Sequence, residues 1–474
     1  MDPSDSTSTA PGRLAPPRAS RVLALAAALA ALGAAAVAVR RVAATLRGPE
    51  SVVLFVLDDV RADHTSLCGY NRPTTPHLQA LAQAGAAYTC GGVAPGSWTL
   101  PSHASFFTGV PVLDHGAHEL PIAGVEAEGG IVAPGTGIPT RPLDDRLPTL
   151  AEAMKARGYQ PRLISMNPVL GAASGLQRGF DEPLFVARGF HGVKPIEATT
   201  LALRSLDPDG GPLFLVVNLT QAHQPWLGVP DGLGWVHPQA GLDYQVGRAD
   251  NPWTRWYHGD LSETERSAFL DQLRDNYDYG IHQADESLGR VLDLLTQSGW
   301  CGDACRVVVT SDHGELLGEG GLIDHGFYVA EGNARVPILV RGAPGLVLPD
   351  VLSGVFVYNL LSTGALPELA QAAEQPAWAH PARYQATEGR YYGSTSAARW
   401  DLDGTKTVWQ DGVLSRYNLK VDPQERAPQP AAADPDFQRF VDRVRQVDPR
   451  DATLDPEVIQ MLQAGGYLGA EAGD

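Results

Sequence analysis

The chain reads as an α/β protein: a mainly parallel central sheet with helices on both faces, plus a small C-terminal α+β subdomain with an antiparallel sheet. Three observations predict this. Residues 51–57 (SVVLFVL), 213–219 (LFLVVNL) and 307–309 (VVV) are near-continuous apolar runs, the pattern of strands buried on both faces. Helical patterns alternate with them. LPTLAEAMKARG at 147–158 is amphipathic, closes on Gly and is followed by the extended RLISMN, and 195–206 forms a second helix leading into the run at 213. Short strand-like pieces separated by turns fill 383–419, as a small antiparallel sheet requires.

Taken in order, residues 1–20 are rich in Pro, Ser and Ala and are expected to be disordered. Residues 22–39 (VLALAAALAALGAAAVAV) carry no charge and are flanked by Arg18, Arg21, Arg40 and Arg41. At about 18 residues this run just reaches bilayer-spanning length, so the preferred reading is a single-pass membrane anchor. A cleaved signal peptide, with Ala36-Val37-Ala38 as its small-residue site, and an Ala-rich soluble helix are the alternatives. A length of 474 residues exceeds one ordinary core. The expected division is a catalytic domain over 50–345, a C-terminal part with the small subdomain over 346–430, and terminal helices and tail over 431–474.

The chemistry gathers where the apolar runs stop. The first ends in Asp58-Asp59, the second reaches His223 four residues on, and the third stops at Ser311-Asp312-His313-Gly314, with Asp324-His325-Gly326 following. In open α/β sheets, ligand-binding groups lie beyond the carboxyl ends of the strands. Parallel neighbours would therefore bring Asp58, Asp59, His223, Asp312 and His313 to one edge. Adjacent carboxylates repel one another unless a cation is near, so this edge suits a divalent metal. A nucleophile is offered by PGSWTLPSHASFFTG at 95–109. Pro101 fits the first turn of a helix, which places Thr99 at the amino end, where unpaired amides and the helix dipole favour negative charge. A plain N-cap threonine is the alternative.

These residues, in this order, resemble the sulfatase family of the alkaline phosphatase superfamily. The resemblance rests on Asp58-Asp59, Arg61-Ala-Asp63-His64, Asn71-Arg-Pro-Thr-Thr-Pro76, Thr99-Leu-Pro-Ser-His103, Gln221-Ala-His223-Gln-Pro225, Ser311-Asp-His-Gly-Glu315, Arg335-Val-Pro337 and the 417–425 stretch YNLKVDPQE, so it covers about 51–425. One departure matters. The family signature Cys/Ser-x-Pro-Ser-Arg begins with a residue oxidised to formylglycine, whereas here Thr99 stands first and His103 replaces the Arg. Threonine cannot become formylglycine. It resembles instead the nucleophile of phosphoethanolamine and lipoteichoic-acid transferases and of nucleotide phosphodiesterases. His325 is similar to the extra histidine of those transferases.

The resemblance implies that Asp58, Asp59, Asp312 and His313, with Thr99, hold one divalent cation, calcium first, then manganese or magnesium. It implies Thr99 as nucleophile, with His103, His223 and His325 as donors to the reacting group and His115 as a further contact. The implied protein is a membrane-anchored hydrolase of sulfate or phosphate esters. Its substrate would be a small-molecule, glycan or lipid ester, and its catalytic domain would lie outside the cytoplasm. A phosphoethanolamine- or phosphoglycerol-type transferase is the alternative enzyme, and a sulfatase-fold binding protein without turnover is the alternative of another class. The formal charge of -18, from 36 basic and 54 acidic residues, argues against a nucleic-acid partner.

Cys68 with Cys90 and Cys301 with Cys305 suit two disulfides, free buried thiols being the alternative. The Gly/Pro-rich 122–142 reads as an irregular excursion. The aromatic-rich 228–260 reads equally as a lid or as an aromatic mini-core. Ser262 and Glu265 make a capping box for a helix whose Phe269, Leu273, Tyr277, Ile281 and Leu288 form a core stripe. Asp278, His282 and Asp285 on it are expected to be structural. Residues 437–447 and 456–462 are expected to be terminal helices.

Overall fold

The computed structural model describes residues 50–118, 131–132, 139–185, 195–226, 228–242, 251–326, 329–368, 377–379, 396–410, 412–432 and 434–446. Its central sheet has eight strands: β1 (Val52–Leu57), β2 (Ala87–Val93), β3 (Gln160–Ser165), β4 (Leu184–Phe185), β5 (Leu213–Leu219), β6 (Arg306–Thr310), β7 (Arg335–Arg341) and β8 (Leu352–Ser353). Their spatial order is β8-β2-β7-β6-β1-β5-β3-β4. β1 pairs in parallel with both β5 and β6, and β3 continues the parallel set beyond β5. Only β7 runs against its neighbours, antiparallel to β6 and β2.

Why the strands read as unbroken apolar runs is visible in β1. Val53, Phe55 and Leu57 pack into one core and Val52, Leu54 and Val56 into another, because alternate side chains leave opposite faces of the sheet. The first core is covered by α1 (Pro76–Gln83), α4 (Pro195–Arg204) and α6 (Glu263–Gln297), the second by α2 (Thr99–Thr108), α3 (Leu150–Ala156) and α7 (Val357–Ser362). Each fully buried Val, Leu or Phe contributes roughly 1.5–3 kcal/mol. The sheet is therefore a stiff platform for whatever its carboxyl edge carries.

Helix α6 starts at the predicted capping box: Ser262 Oγ accepts from Glu265 N, and Glu265 Oε2 accepts from Ser262 N at 2.8 Å. Its apolar stripe faces the sheet. Asp285 on it accepts from the amides of His77 and Leu78 and so caps α1, while Asp278 binds His64, Tyr70 and Arg72. The described part of the aromatic segment is a mini-core. Trp226, Trp253 and Trp256 are buried, Trp253 meets Phe269 edge-on at 5.1 Å, and Pro252–His258 forms a helix, α5, that the sequence did not suggest.

A second sheet, β9 (Ala377–Ala379), β10 (Ser396–Trp400), β11 (Thr405–Gln410), β12 (Val413–Asn418) and β13 (Gln429–Pro430), is wholly antiparallel and forms the expected C-terminal subdomain. Helix α8 (Pro435–Gln446) packs Phe437, Val441 and Val444 on it. Fully buried Lys406 ties this sheet to the main body, donating to Val329 O at 2.6 Å and pairing with Glu425 and Glu331. Both disulfides, Cys68–Cys90 and Cys301–Cys305, are formed.

The expected membrane placement is corrected. Among the described residues no helix is long and apolar enough to cross a membrane. The longest, α6, spans 35 residues but carries acidic and basic side chains throughout its outer face. The run at 22–39, on which that expectation rested, lies outside the described residues, as do the helix expected at 456–462 and most of 122–142.

Candidate active site

The carboxyl ends of β1, β3, β5 and β6 converge as the strand pattern predicts. Asp58 extends β1, its amide donating to Leu219 O at 2.9 Å. Asp59 then takes a left-handed backbone (φ 71°), which Asp tolerates better than most residues. The turn is pinned from three sides. Asp59 N donates to Asp312 Oδ1 (3.2 Å), Val60 N to Ser311 Oγ (2.8 Å), and the Tyr277 hydroxyl to Asp59 O (2.7 Å).

Asp58, Asp312 and His313, all fully buried, form one cluster. His313 Nε2 is 3.6 Å from both Asp58 Oδ1 and Asp312 Oδ2, and none of these three atoms has a hydrogen-bond partner. His313 Nδ1 lies 3.2 Å from Gly314 O, so a proton on Nδ1 leaves Nε2 with its lone pair toward the carboxylates. Buried orphan oxygens facing an imidazole lone pair fit a divalent cation.

Thr99 opens α2 and is almost fully buried. Its Oγ1 accepts from Asn167 Nδ2 at 3.1 Å, and the same amide donates to Asp58 Oδ2 at 2.8 Å. Asn218 Nδ2 adds a bond to Asp58 Oδ2 at 3.2 Å. His103, one turn along α2, places Nδ1 3.0 Å from Thr99 O and 3.5 Å from Asp312 Oδ2. The structure thus brings Thr99, His103, Asp58, Asp312 and His313 together.

Asp59 faces elsewhere. Its Oδ1 is 3.3 Å from His313 Nδ1, the side of the ring opposite the first cluster, and 3.9 Å from His325 Nδ1. His325 stacks on His313 (centroids 4.4 Å) and meets His223 edge-on at 4.9 Å. His223 Nδ1 donates to Gln224 O at 2.6 Å. His115 stands apart: it is buried, one ring nitrogen accepts from Ala117 N and the other lies 3.1 Å from Ser105 Oγ, which braces α2.

The electrostatics are those of a site with surplus buried negative charge. Burial and then Glu315 hold Asp59 well above the usual carboxylate range, and burial and then Asp58 raise Asp312. Asp58 is lowered: burial opposes its ionisation, but His223, His313 and Asn167 outweigh it. Burial, reinforced by His313 and His223, keeps His325 well below its ordinary value. A cation relieves this imbalance.

Sequence reasoning missed Asn167, Asn218 and the carboxylate of Glu315. A signal existed for two of them. Asn218 is the one polar residue in the apolar run of β5, and Asn167 ends a strand run as Asp58 does. Glu315 ends the motif that begins at Ser311 but reads as an ordinary solvent-facing acid.

A parallel sheet with this edge, the N-terminus of α2 beside it and an antiparallel C-terminal sheet define an alkaline phosphatase-like fold. Within that class, the Sulfatase family model matches residues 50–347, and the chain belongs to the sulfatase family. It is 30% identical over 177 residues to choline-sulfatase of Rhizobium meliloti (strain 1021), covering 35% of this chain and 32% of that protein. It is 26% identical over 356 residues to human arylsulfatase A, covering 69% and 65%. The chain therefore spans about a third and somewhat under two thirds of these relatives' lengths. The solved phosphonate monoester hydrolase of Agrobacterium radiobacter superposes with a TM-score of 0.57 at 18% identity, covering 84% of this chain and 95% of that one.

Proposed function

We propose that the chain hydrolyses sulfate or phosphate esters, with Thr99 Oγ1 as nucleophile and a divalent cation held by Asp58, Asp312 and His313. The observation that carries this is the Asn167 amide, which joins Thr99 Oγ1 and Asp58 Oδ2 in one hydrogen-bonded unit beside three orphaned ligand atoms. A cation bound there supplies positive charge that eases deprotonation of the hydroxyl and draws electrons from the ester's non-bridging oxygens. The imidazole in the donor set moves the preference from calcium toward manganese.

Asn167 fixes the Thr99 rotamer, and the amino end of α2 favours the charge that develops at the reacting centre. Oγ1 bonds to phosphorus or sulfur, its proton passes to solvent, and the bond to the leaving oxygen breaks. The His223 imidazole, beside the site, delivers a proton to that oxygen, because burial and the neighbouring imidazoles hold His325 well below its ordinary value and so neutral. Water then attacks the threonyl ester, frees Thr99 and releases phosphate or sulfate. The names of the two sequence relatives above, both sulfatases, support the sulfate-ester class. Since Thr99 cannot be converted to formylglycine, attack by the hydroxyl itself replaces attack by an aldehyde hydrate.

The test is turnover of aryl phosphate, phosphodiester and aryl sulfate by purified protein, stripped of metal and reloaded with calcium, manganese or magnesium, beside Thr99→Ala. Metal-dependent turnover of at least one ester, lost in Thr99→Ala, is expected. Equal turnover by Thr99→Ala, or none by the native protein with any metal, overturns the proposal. Turnover only with a lipid or glycan acceptor present would place the chain among the transferases instead.

A further inference from the structure

Beside the first cluster lie carboxylates for which the ester chemistry has no use. Glu315, Asp324 and His325 each bring a ligand atom within 4.8 Å of the others. The fold sets them opposite one another. Strand pair Leu316–Leu317 and Ile323–Asp324 registers Leu316 against Asp324, so Glu315 and His325 leave the same end of the hairpin. His325 Nδ1 is 3.2 Å from Asp324 Oδ1 and 3.3 Å from Glu315 Oε2. Asp59 adds a fourth group, its Oδ1 3.9 Å from the same nitrogen.

Two of the three carboxylates carry buried oxygens without a hydrogen bond, whereas Asp324 Oδ1 accepts from the His325 amide at 2.9 Å. Asp59 is fully buried and Glu315 is 2% exposed, yet Asp59 Oδ1 and Oδ2 and Glu315 Oε1 have no hydrogen-bond partner. The nearest guanidinium, Arg61, is engaged elsewhere, donating to Asp63, to Glu319 and to the backbone oxygen of Glu315. A carboxylate removed from water without a donor or counter-charge is costly, and here three share one imidazole.

We propose that Glu315, Asp324 and His325, with Asp59, form a second divalent-cation site distinct from the one at Asp58, Asp312 and His313. One imidazole nitrogen among carboxylates suits an ion of borderline hardness, manganese or zinc, over calcium. His325 would ligate through Nδ1, the nitrogen that faces the carboxylates. The rival account is a proton shared between Asp59 and Glu315. That gives Asp324 and His325 no role, and it binds no metal.

The site is independent of which ester the chain cleaves, and its test reads stoichiometry. Protein dialysed against chelator is titrated with Mn2+ and separately with Zn2+ by calorimetry, and the bound metal is counted by elemental analysis. Two ions per native chain are expected, falling to one in Glu315→Gln and in Asp324→Asn. Gln keeps the volume of Glu315, and Asn tolerates the left-handed backbone at 324 (φ 77°), so both variants retain the fold. One ion per native chain, or two ions in both variants, overturns the proposal.

Discussion

Replacing Asn167 by Ala tests whether Thr99, the proposed nucleophile, is positioned by this chain or merely lies near the site. Asn167 is buried, and its Nδ2 serves Asp58 Oδ2 at 2.8 Å and Thr99 Oγ1 at 3.1 Å. Asn218 still donates to Asp58 Oδ2 in the variant, so that carboxylate is not left bare. The loss there falls at the low end for a charged hydrogen bond, about 1.5 kcal/mol, and the Thr99 bond is worth about 1 kcal/mol. With cation below saturation both shares, about 2–3 kcal/mol, lower kcat/KM by roughly 30- to 150-fold, and with cation saturating only the Thr99 share remains, roughly fivefold. Steady-state kinetics on the best ester, with cation affinity measured in parallel by calorimetry, reads this out. The Thr99 share should appear in kcat and the Asp58 share in cation affinity. A kcat/KM within about threefold of native, in a protein that Thr99→Ala inactivates, would refute the positioning argument.

Three further outcomes are expected. Lys406→Met leaves Glu331 its pair with Arg335 but strips the buried Glu425 carboxylate of its cation, and should cost about 3–5 kcal/mol in urea unfolding; a loss under about 1 kcal/mol would show that Glu425 is not stranded. Replacing Cys68 and Cys90 together by Ala removes a cross-link across a separation of 22 residues and should cost about 3 kcal/mol, seen as a lower Tm. Burial pushes His115 down to about 4, so between pH ~6.5 and that value the folded protein binds fewer protons than the unfolded chain. Stability is full above that window and falls as the pH drops through it, by up to roughly 3 kcal/mol; His115→Gln should show that much less loss between pH 7 and 4, and an identical loss would contradict the assignment.

The parts of the fold legible in the sequence are those where burial on both faces forces a continuous apolar run, as in β1, β5 and β6. Strand β2 (AYTCGGV) has no such run, because its glycines let neighbouring backbone approach closely: a Cβ at Gly91 would lie 1.6 Å from Asp350 O. The direction of β7 was equally silent, since an antiparallel strand buried on both faces is as apolar as a parallel one. At the site, Asp58, Asp312, His313 and Thr99 were readable because each follows a strand end or opens a helix. That Asp59 parts from Asp58 was not, because adjacency in sequence says nothing of the left-handed turn between them. Asn167 escaped because an amide ending a strand is chemically unremarkable until its two partners, 68 and 109 residues away, are seen.

The central claim is that Thr99 becomes covalently bonded to the transferred group, and it is tested most directly by peptide mass spectrometry after acid quench of the metal-loaded protein turning over its best ester. The account predicts a phosphoryl or sulfuryl adduct on the peptide bearing Thr99, formed and lost at the rate of turnover and missing in Thr99→Ala. Turnover with no adduct at Thr99, or with the adduct on another residue, would contradict it.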